Sequence, residues 1–192
     1  LDAGHTVYGL DCRPNTWTTR FPVLLHDLVQ PLIAAPAERA LISWGTPDVV
    51  VHLAGYAKVH RLVVEPQKAL ANIAMIQNAL EFCRVLGVPM IFASSREVYG
   101  NTARESTAEE DADFRLAASP YAASKLAGET LVYSYSRCYG LPYLVVRLSN
   151  VYGRYDNDLQ RMERVIPLFV EKINRGEPLI LFGGDRVFDF TH

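Results

Sequence analysis

The sequence predicts an α/β fold with a doubly wound parallel sheet, because short apolar runs alternate with segments of helical period. Four runs have the length and composition of buried parallel strands, over residues 7–11, 49–54, 89–94 and 143–147. Between the second and third runs, apolar residues recur at spacings of three and four over 66–86, which is typical of a helix with one buried face. Strands that alternate with helices favour right-handed crossovers and therefore a parallel sheet.

Capping residues mark where the helices end and begin. Gly87 ends the first helix and Gly140 ends a second one over about 119–139, since a left-handed glycine commonly follows the last helical turn. Ser119 is suited to cap the start of that second helix. A third helix is expected over roughly 158–174.

Both ends of the chain depart from the usual pattern of a doubly wound fold that binds a dinucleotide. Such a fold opens with a strand, a glycine-rich turn and a helix, but no GxGxxG occurs, and residues 1–5 resemble the tail of that helix. Near the other end, 179–182 is predicted to be a strand. We therefore expect a sheet that lacks its first strand and glycine-rich loop, in a chain that is incomplete at both ends.

Composition excludes several classes of protein. The 192 residues include 19 Lys and Arg against 21 Asp and Glu, so a strongly basic nucleic-acid binder is not expected. No apolar run approaches the ~18–20 residues of a membrane span, and no signal-peptide pattern is visible, so no membrane partner is expected. Cys12, Cys83 and Cys138 are far apart and form no CxxC, which is typical of buried or reduced thiols in a cytoplasmic protein. No metal site is expected.

The sharpest chemical signal is the pair Tyr121 and Lys125, which the four-residue spacing places on one face of a helix. A free phenol has a pKa of ~10, and a nearby ammonium lowers it toward the range of a useful base for an alcohol proton. The spacing alone is common in surface pairs. This pair, however, opens a helix just after a strand that ends in Ser94 and Ser95, and ligands bind at strand carboxyl ends in such sheets.

Polar residues beside that strand end extend the signal. A hydroxyl at this strand end, of Ser94 or Ser95, is placed to hold a substrate oxygen beside the phenolate, and Glu97 adds a carboxylate as a second base or acid. The alternative is a polar turn in which Gly100 acts as a hinge.

Two acidic residues follow strands in the first part of the chain. Asp11 is suited to accept hydrogen bonds from both ribose hydroxyls of an adenosine and to oppose a 2′-phosphate, although Arg13 would soften that exclusion. Asp27, followed by Leu28, is suited to accept from an adenine amino group. For both acids, a turn or cap role is the alternative.

Several motifs occur in a fixed order along the whole chain. They are His52-Leu53-Ala54-Gly55, Asn72, Ser94-Ser95-Arg96-Glu97-Val98-Tyr99-Gly100, Pro120-Tyr121-Ala122-Ala123-Ser124-Lys125, the stretch from Arg147 through Asn150 to Arg154, and Asp189-Phe190-Thr191-His192. Together they resemble the extended short-chain dehydrogenase/reductase family, in its branch of NAD-dependent nucleotide-sugar epimerases and dehydratases. The resemblance implies a partial Rossmann-like NAD-binding domain over 1–148 and the beginning of a substrate-binding region over 149–192.

The resemblance also implies roles for individual residues. Tyr121 would be the catalytic base, Lys125 would bind the nicotinamide ribose and lower the pKa of Tyr121, and Ser95 would be the catalytic Ser/Thr. Glu97 resembles a glutamate of dehydratases and decarboxylases, but Arg96 stands where dehydratases often carry an acid. The expected cofactor contacts, besides Tyr121 and Lys125, are Asp11, Asp27, Leu28, Leu53, Ala54, Asn72, Ser94 and Leu148. The expected substrate contacts are Ser95, Asn150, Arg154 and Arg186, the last because Phe188 stands where many relatives carry a phosphate-binding Arg.

Three functions follow as expectations. The first is an NAD-dependent 4-epimerase of a nucleotide-diphosphate sugar, for example a UDP-sugar, which passes through a transient 4-keto sugar. The second is a 4,6-dehydratase or a decarboxylase that uses Glu97 on the same keto sugar. The third is a non-catalytic nucleotide-binding module. A homodimer is expected, because relatives often pair through the helices around Tyr121.

Overall fold

A computed structural model of the chain describes residues 2–16, 18–33, 41, 43–101, 106–153, 164–181, 183 and 188–192. The chain divides into two compact units, Leu1–Arg147 and Leu148–His192. The division lies beside the predicted boundary at 148, and the assignment of the second unit to substrate binding stays a prediction.

Two parallel sheets form the first unit. One contains β1 (Gly9–Asp11) and β2 (Val23–Leu25), which pair in parallel. The other contains, in spatial order, β3 (Val50–His52), β4 (Met90–Ser95) and β5 (Tyr143–Leu148). The β3–β4 pair is parallel, with Val50 opposite Met90. The predicted parallel α/β architecture is confirmed, and among the described residues no strand joins β1 to β3.

In the described part of the chain, three helices with defined bounds lie between these strands: α1 (Val59–Val64), α2 (Gln67–Leu86) and α3 (Pro120–Tyr139). The predicted ends of α2 and α3 are confirmed. Gly87 and Gly140 have φ values of 69° and 68°, in the left-handed region that glycine tolerates, and each N–H bonds back into its helix. The Ser119 hydroxyl accepts the Ala122 N–H at 3.1 Å, so α3 starts where the cap predicts.

The core lies where α2 and α3 pack on each other and on β4. Its buried residues are Ile76, Ala79, Leu80, Cys83, Val88, Met90, Phe92, Val132 and Leu141. Gly128 allows a close approach of α3, because a Cβ there would lie 2.7 Å from Phe92 Cζ and 3.1 Å from Ile76 Cδ1. All three cysteines are free thiols, and only Cys83 is buried, whereas Cys12 and Cys138 are exposed.

The second unit contains a short parallel pair, β6 (Asn150–Val151) and β7 (Phe190–Thr191), and the helix α4 (Val165–Asn174). The helix begins at Val165 because Arg164 has an extended backbone, and residues 158–163 of the predicted helix lie outside the described residues. The strand predicted over 179–182 is wrong for its described part. Residues 179–181 pair with no described strand and are 39% to 73% exposed.

Within the described ranges, no helix combines the length and the apolar character that crossing a membrane requires. The same part of the chain contains no cluster of His, Cys, Asp and Glu suited to a metal ion.

Candidate active site at the end of β4

The end of β4 is held by one face of α3. Lys125 Nζ donates to the Ala93 carbonyl oxygen at 2.7 Å, and the Ser95 side chain is near enough to Tyr121 to lower the pKa of its phenol. Ser95, Tyr121 and Lys125 are each only 8% exposed. The structure therefore brings together the three residues that the sequence nominates for proton transfer.

The protonation of Tyr121 differs from the expectation that Lys125 would lower its pKa. Burial raises the pKa of Tyr121, the hydrogen bond with Ser95 lowers it in part, and the charge of Glu97 raises it further. Lys125 Nζ lies 5.7 Å from the centre of the Tyr121 ring and gives its hydrogen bond to Ala93. In this geometry the phenol is a neutral donor or acceptor rather than a phenolate.

Burial also lowers the pKa values of two basic groups near the phenol, Lys125 and His52. It lowers the pKa of Lys125 to about 8, and the ammonium lies 5.0 Å from the centre of the Phe92 ring. His52, at the end of β3, stacks on Phe92 with ring centroids 6.0 Å apart. Burial, and then the charge of Lys125, lower the pKa of His52 to about 4. His52 is therefore neutral at physiological pH.

Glu97 lies in the turn that follows β4. The 3₁₀ turn Arg96–Tyr99 begins where the Ser95 hydroxyl accepts the Glu97 N–H at 3.3 Å. The Glu97 carboxylate is paired with Arg96 at 3.2 Å, and its charge acts on Tyr121. Glu97, the fourth residue that the sequence predicts to be catalytic, is thus in the turn beside this cluster. Its carboxylate is partly occupied by the ion pair with Arg96.

The loop after β3 carries Leu53 and Ala54 and is held by Asn72. Asn72 Oδ1 accepts the Tyr56 N–H at 2.7 Å, while Nδ2 donates to the Tyr56 carbonyl at 3.1 Å and to Ser124 Oγ at 3.2 Å. Leu53 is 69% exposed, and an exposed apolar side chain at a strand end is available to a ligand. Asn72 thus positions this loop, a role that the sequence analysis did not assign to it.

The predicted adenosine-binding residues lie at the ends of β1 and β2. Asp11 Oδ1 accepts the Arg13 backbone N–H at 2.9 Å and pairs with the Arg13 guanidinium. Asp27 Oδ1 accepts the Val29 N–H at 3.0 Å, so its carboxylate is part of a turn. Asn78 on α2 donates to the Leu28 carbonyl at 2.8 Å and to the Val29 carbonyl at 3.0 Å.

The predicted substrate contacts other than Ser95 belong to the second unit. Asn150 Nδ2 donates to the Asp189 carbonyl at 2.9 Å and so supports the pairing of β6 with β7. Leu148, a predicted cofactor contact, is 39% exposed. Arg154 and Arg186 lie outside the described residues.

Sequence reasoning missed a buried ion pair beside this site. Glu129 accepts a hydrogen bond from Ser94 Oγ at 2.5 Å and pairs with Arg147 at 2.8 Å. The Ser94 hydroxyl thereby gives its proton to Glu129, so only its acceptor capacity remains for the predicted cofactor contact. Glu129 lies four residues beyond Lys125 on the same face of α3. Extending the four-residue spacing of Tyr121 and Lys125 by one step would therefore have identified it.

Comparison with known proteins decides the family. The sequence model of the NAD dependent epimerase/dehydratase family matches residues 1–192. The chain belongs to this family. Relatives in this family are named for different reactions, so membership alone leaves the specific reaction open.

Three relatives show this range. The dTDP-glucose 4,6-dehydratase of Salmonella typhimurium is 30% identical over 166 residues, which cover 76% of this chain and 45% of that protein. The UDP-glucuronate 4-epimerase 1 of Arabidopsis thaliana is 33% identical over 150 residues, covering 74% of this chain and 34% of that protein. The crystal structure of the Thermus thermophilus UDP-glucose 4-epimerase in complex with NAD superposes with a TM-score of 0.78 at 30% identity.

The superposition with the Thermus protein covers 93% of this chain and 58% of that one. The chain therefore spans about a third to three fifths of the length of these relatives. The fold is Rossmann-like, as the sequence predicts.

The described residues fit a dinucleotide. The Asp11 carboxylate is half exposed at the end of β1, where a ribose would meet it, and the exposed Leu53 offers an apolar surface at the end of β3. These positions and that of Lys125 are compatible with the predicted contacts to NAD, which stay predictions.

Proposed function

We propose that the protein is an NAD-dependent nucleotide-sugar 4-epimerase, in which Tyr121 removes the proton of the sugar 4-hydroxyl. The observation that carries this proposal is the buried cluster of Ser95, Tyr121 and Lys125 at the end of β4. The family and its relatives support a nucleotide-sugar substrate. NAD, when bound, supplies the acceptor and donor of the hydride.

The residues of the chain have distinct tasks in this reaction. Ser95 hydrogen-bonds the substrate oxygen and aligns it with the Tyr121 oxygen, since the Ser95 side chain lies near enough to lower the pKa of Tyr121. Tyr121 accepts the hydroxyl proton and returns it when the 4-keto sugar is reduced on its other face. Lys125, with its pKa lowered to about 8, supplies a positive charge that favours the phenolate once a ligand redirects its hydrogen bond.

A second candidate function rests on Glu97. Its charge acts on Tyr121, and a carboxylate in the turn beside the phenol is the group that a 4,6-dehydratase or decarboxylase would use as a second base on the keto sugar. Against this, Glu97 is paired with Arg96 at 3.2 Å, whereas 4-epimerisation needs only Ser95, Tyr121 and Lys125 from the protein. The epimerase is therefore the favoured reaction.

Product analysis tests the proposal. The protein is incubated with NAD and, separately, with UDP-glucose, UDP-glucuronate and dTDP-glucose, and the products are examined by mass spectrometry and NMR. Epimerisation conserves mass and inverts the configuration at C4. Loss of water or of carbon dioxide would instead assign the dehydratase or the decarboxylase, and binding without turnover would assign a non-catalytic module.

Two further expectations remain predictions. A homodimer would be tested by sedimentation of the purified protein. A cytoplasmic location, inferred from the cysteines, would be tested by fractionation of the native cells.

A further inference from the structure

The Glu129–Arg147 pair lies behind the turn that carries Ser95 and Glu97. Glu129 is 3% exposed, and Arg147 donates to both of its carboxylate oxygens, through Nε at 2.9 Å and Nη2 at 2.8 Å. A buried carboxylate is costly unless it is fully paired, and this two-point contact is the strong form of that pairing.

The pair is bonded to both ends of the turn. At its start, Ser94 Oγ donates to Glu129 Oε1 at 2.5 Å. At its end, Arg147 Nη1 donates to the Tyr99 hydroxyl at 3.0 Å and to the Glu109 carbonyl at 2.6 Å. Ser95 and Glu97 therefore lie on a short segment that is bracketed by two contacts to one ion pair.

The same helix face holds the reacting groups. Tyr121, Lys125 and Glu129 are spaced by four residues and lie against three consecutive residues of β4. Lys125 donates to the Ala93 carbonyl, Glu129 accepts from Ser94, and Tyr121 lies beside Ser95, which lowers its pKa. Loss of the third contact would leave the other two to hold the strand end alone.

We propose that Glu129 and Arg147 are positioning residues that fix Ser95 and Glu97 relative to the Tyr121 phenol. They contact none of the reacting atoms of the proposed function, on which this inference rests. A displacement of the order of 1 Å at a reacting group costs up to about 100-fold in rate, which sets the scale of the effect.

The test compares Glu→Gln variants of two glutamates that have similar polar partners but differ in burial. Glu129→Gln removes the negative charge of the buried pair, leaves the charge of Arg147, and preserves the shape of the side chain. Glu81→Gln is the matched control, because Glu81 also pairs with an arginine, Arg84, and accepts a tyrosine hydroxyl, Tyr135, but lies on the outer face of α2 and α3. Ser94→Ala is a milder variant that removes only the contact at the start of the turn, and it replaces Glu129→Gln if that variant does not fold.

The first readout is hydrogen exchange of the backbone over 94–101, measured by mass spectrometry without substrate. We expect faster exchange in Glu129→Gln than in the wild type, and wild-type exchange in Glu81→Gln. Unchanged exchange over 94–101 in both Glu129→Gln and Ser94→Ala would overturn the proposal. This readout does not need turnover, so it separates a failure of this inference from a failure of the proposed function.

The second readout is a double-mutant cycle on kcat, with the epimerase assay or whichever activity product analysis assigns. We expect Glu129→Gln to lower kcat by about 10- to 100-fold with KM little changed. In the Ser95→Ala background, Glu129→Gln should cost clearly less, because its effect acts through Ser95. Losses that simply multiply in the double variant would show that Glu129 acts independently of the turn.

Discussion

The polar residues at the ends of β1 and β2 are held differently from those at the end of β4. Asp11 and Asp27 bond backbone groups only two residues away and are exposed to solvent. Ser95, Tyr121 and Lys125 are buried, and their contacts join parts of the chain about 30 residues apart. The carboxyl ends of β1 and β2, called the exposed edge below, are therefore held by local turns. The carboxyl ends of β3 and β4, called the buried edge, depend on the packing of helices on the sheet.

This difference matches the tasks proposed for the two edges. An exposed carboxylate meets a ribose or an adenine without first losing contacts elsewhere in the protein. A buried phenol and ammonium have their pKa values changed by their surroundings, which proton transfer requires. Substitutions at the end of β4 should consequently have large effects on rate and stability, and substitutions at the ends of β1 and β2 should have small effects on ligand preference.

The largest effect is expected for Tyr121→Phe. Phenylalanine preserves the packing of the ring in its buried site and removes the oxygen that exchanges the proton. Since general-base catalysis contributes typically ~10²–10⁴-fold, we expect a loss of that order in kcat, with NAD affinity retained. Steady-state kinetics and NAD titration measure both quantities. Turnover close to that of the wild type would show that the buried cluster has only a structural role.

Acid should destabilise the buried edge through His52. The folded pKa of about 4 lies below the ordinary value of 6.5, so between these values the unfolded chain binds a proton that the folded chain does not. Stability therefore falls as pH decreases from about 6.5 to 4, by up to about 3 kcal/mol.

The pH dependence of stability is measured by urea unfolding at a series of pH values. His52→Gln should flatten the decline between pH 6.5 and 4, because glutamine does not titrate. His60→Gln, which changes an exposed imidazole on α1, serves as the control. An equally steep decline in His52→Gln and in the wild type would assign the acid sensitivity to other groups.

Two asparagines of α2 allow a direct comparison of the two edges. Asn72 is buried and holds the loop after β3, whereas Asn78 is half-buried and holds the turn after β2. Asn72→Ala removes a hydrogen bond to the buried Ser124 hydroxyl and two to the Tyr56 backbone, so we expect a loss of about 1–3 kcal/mol in the free energy of unfolding.

Asn78→Ala should cost less, about 1 kcal/mol, because water can reach the carbonyls that it leaves. Urea denaturation of both variants gives the two values. Equal losses would contradict the view that the buried edge is the more interdependent one.

The smallest effect is expected for Asp11→Asn. The carboxylate opposes the 2′-phosphate of NADP, but it is half exposed and paired with Arg13 at 3.3 Å, so solvent and the guanidinium weaken its repulsion. We expect the preference for NAD over NADP to fall by about fivefold, which corresponds to an exposed charge pair of roughly 1 kcal/mol. Fluorescence titration with both dinucleotides measures the change, and an unaltered preference would remove Asp11 from the selection of the cofactor.

Local signals predicted most of the fold and the members of the site. Apolar runs located β3, β4 and β5, and Ser119 and Gly140 marked the ends of α3, because capping depends on a few adjacent residues. The short helix α1 escaped prediction because six residues give too little periodicity. The prediction of a strand over 179–182 was wrong for its described part, because strand pairing depends on partners that are distant in the sequence.

The electrostatics of the site could not be predicted in the same way. The four-residue spacing places Tyr121 and Lys125 on one face, but it does not show that the Ala93 carbonyl takes the hydrogen bond of the ammonium. Burial, which raises the pKa of Tyr121, is likewise a property of the packed structure. Glu129 was overlooked because a charged helical residue is usually exposed, and its partner Arg147 lies 18 residues away.

The contacts of Tyr121, Lys125 and Glu129 with β4 make the length of α3 as important as its composition. An α-helix turns by about 100° per residue, so one residue inserted between Tyr121 and Glu129 would rotate the two out of alignment. Gly128, where α3 lies closest to Phe92, would move out of that contact as well and bring a side chain against the sheet. Insertions and deletions should therefore be excluded from this segment among functional descendants of the protein, while its exposed positions remain free to vary in residue type.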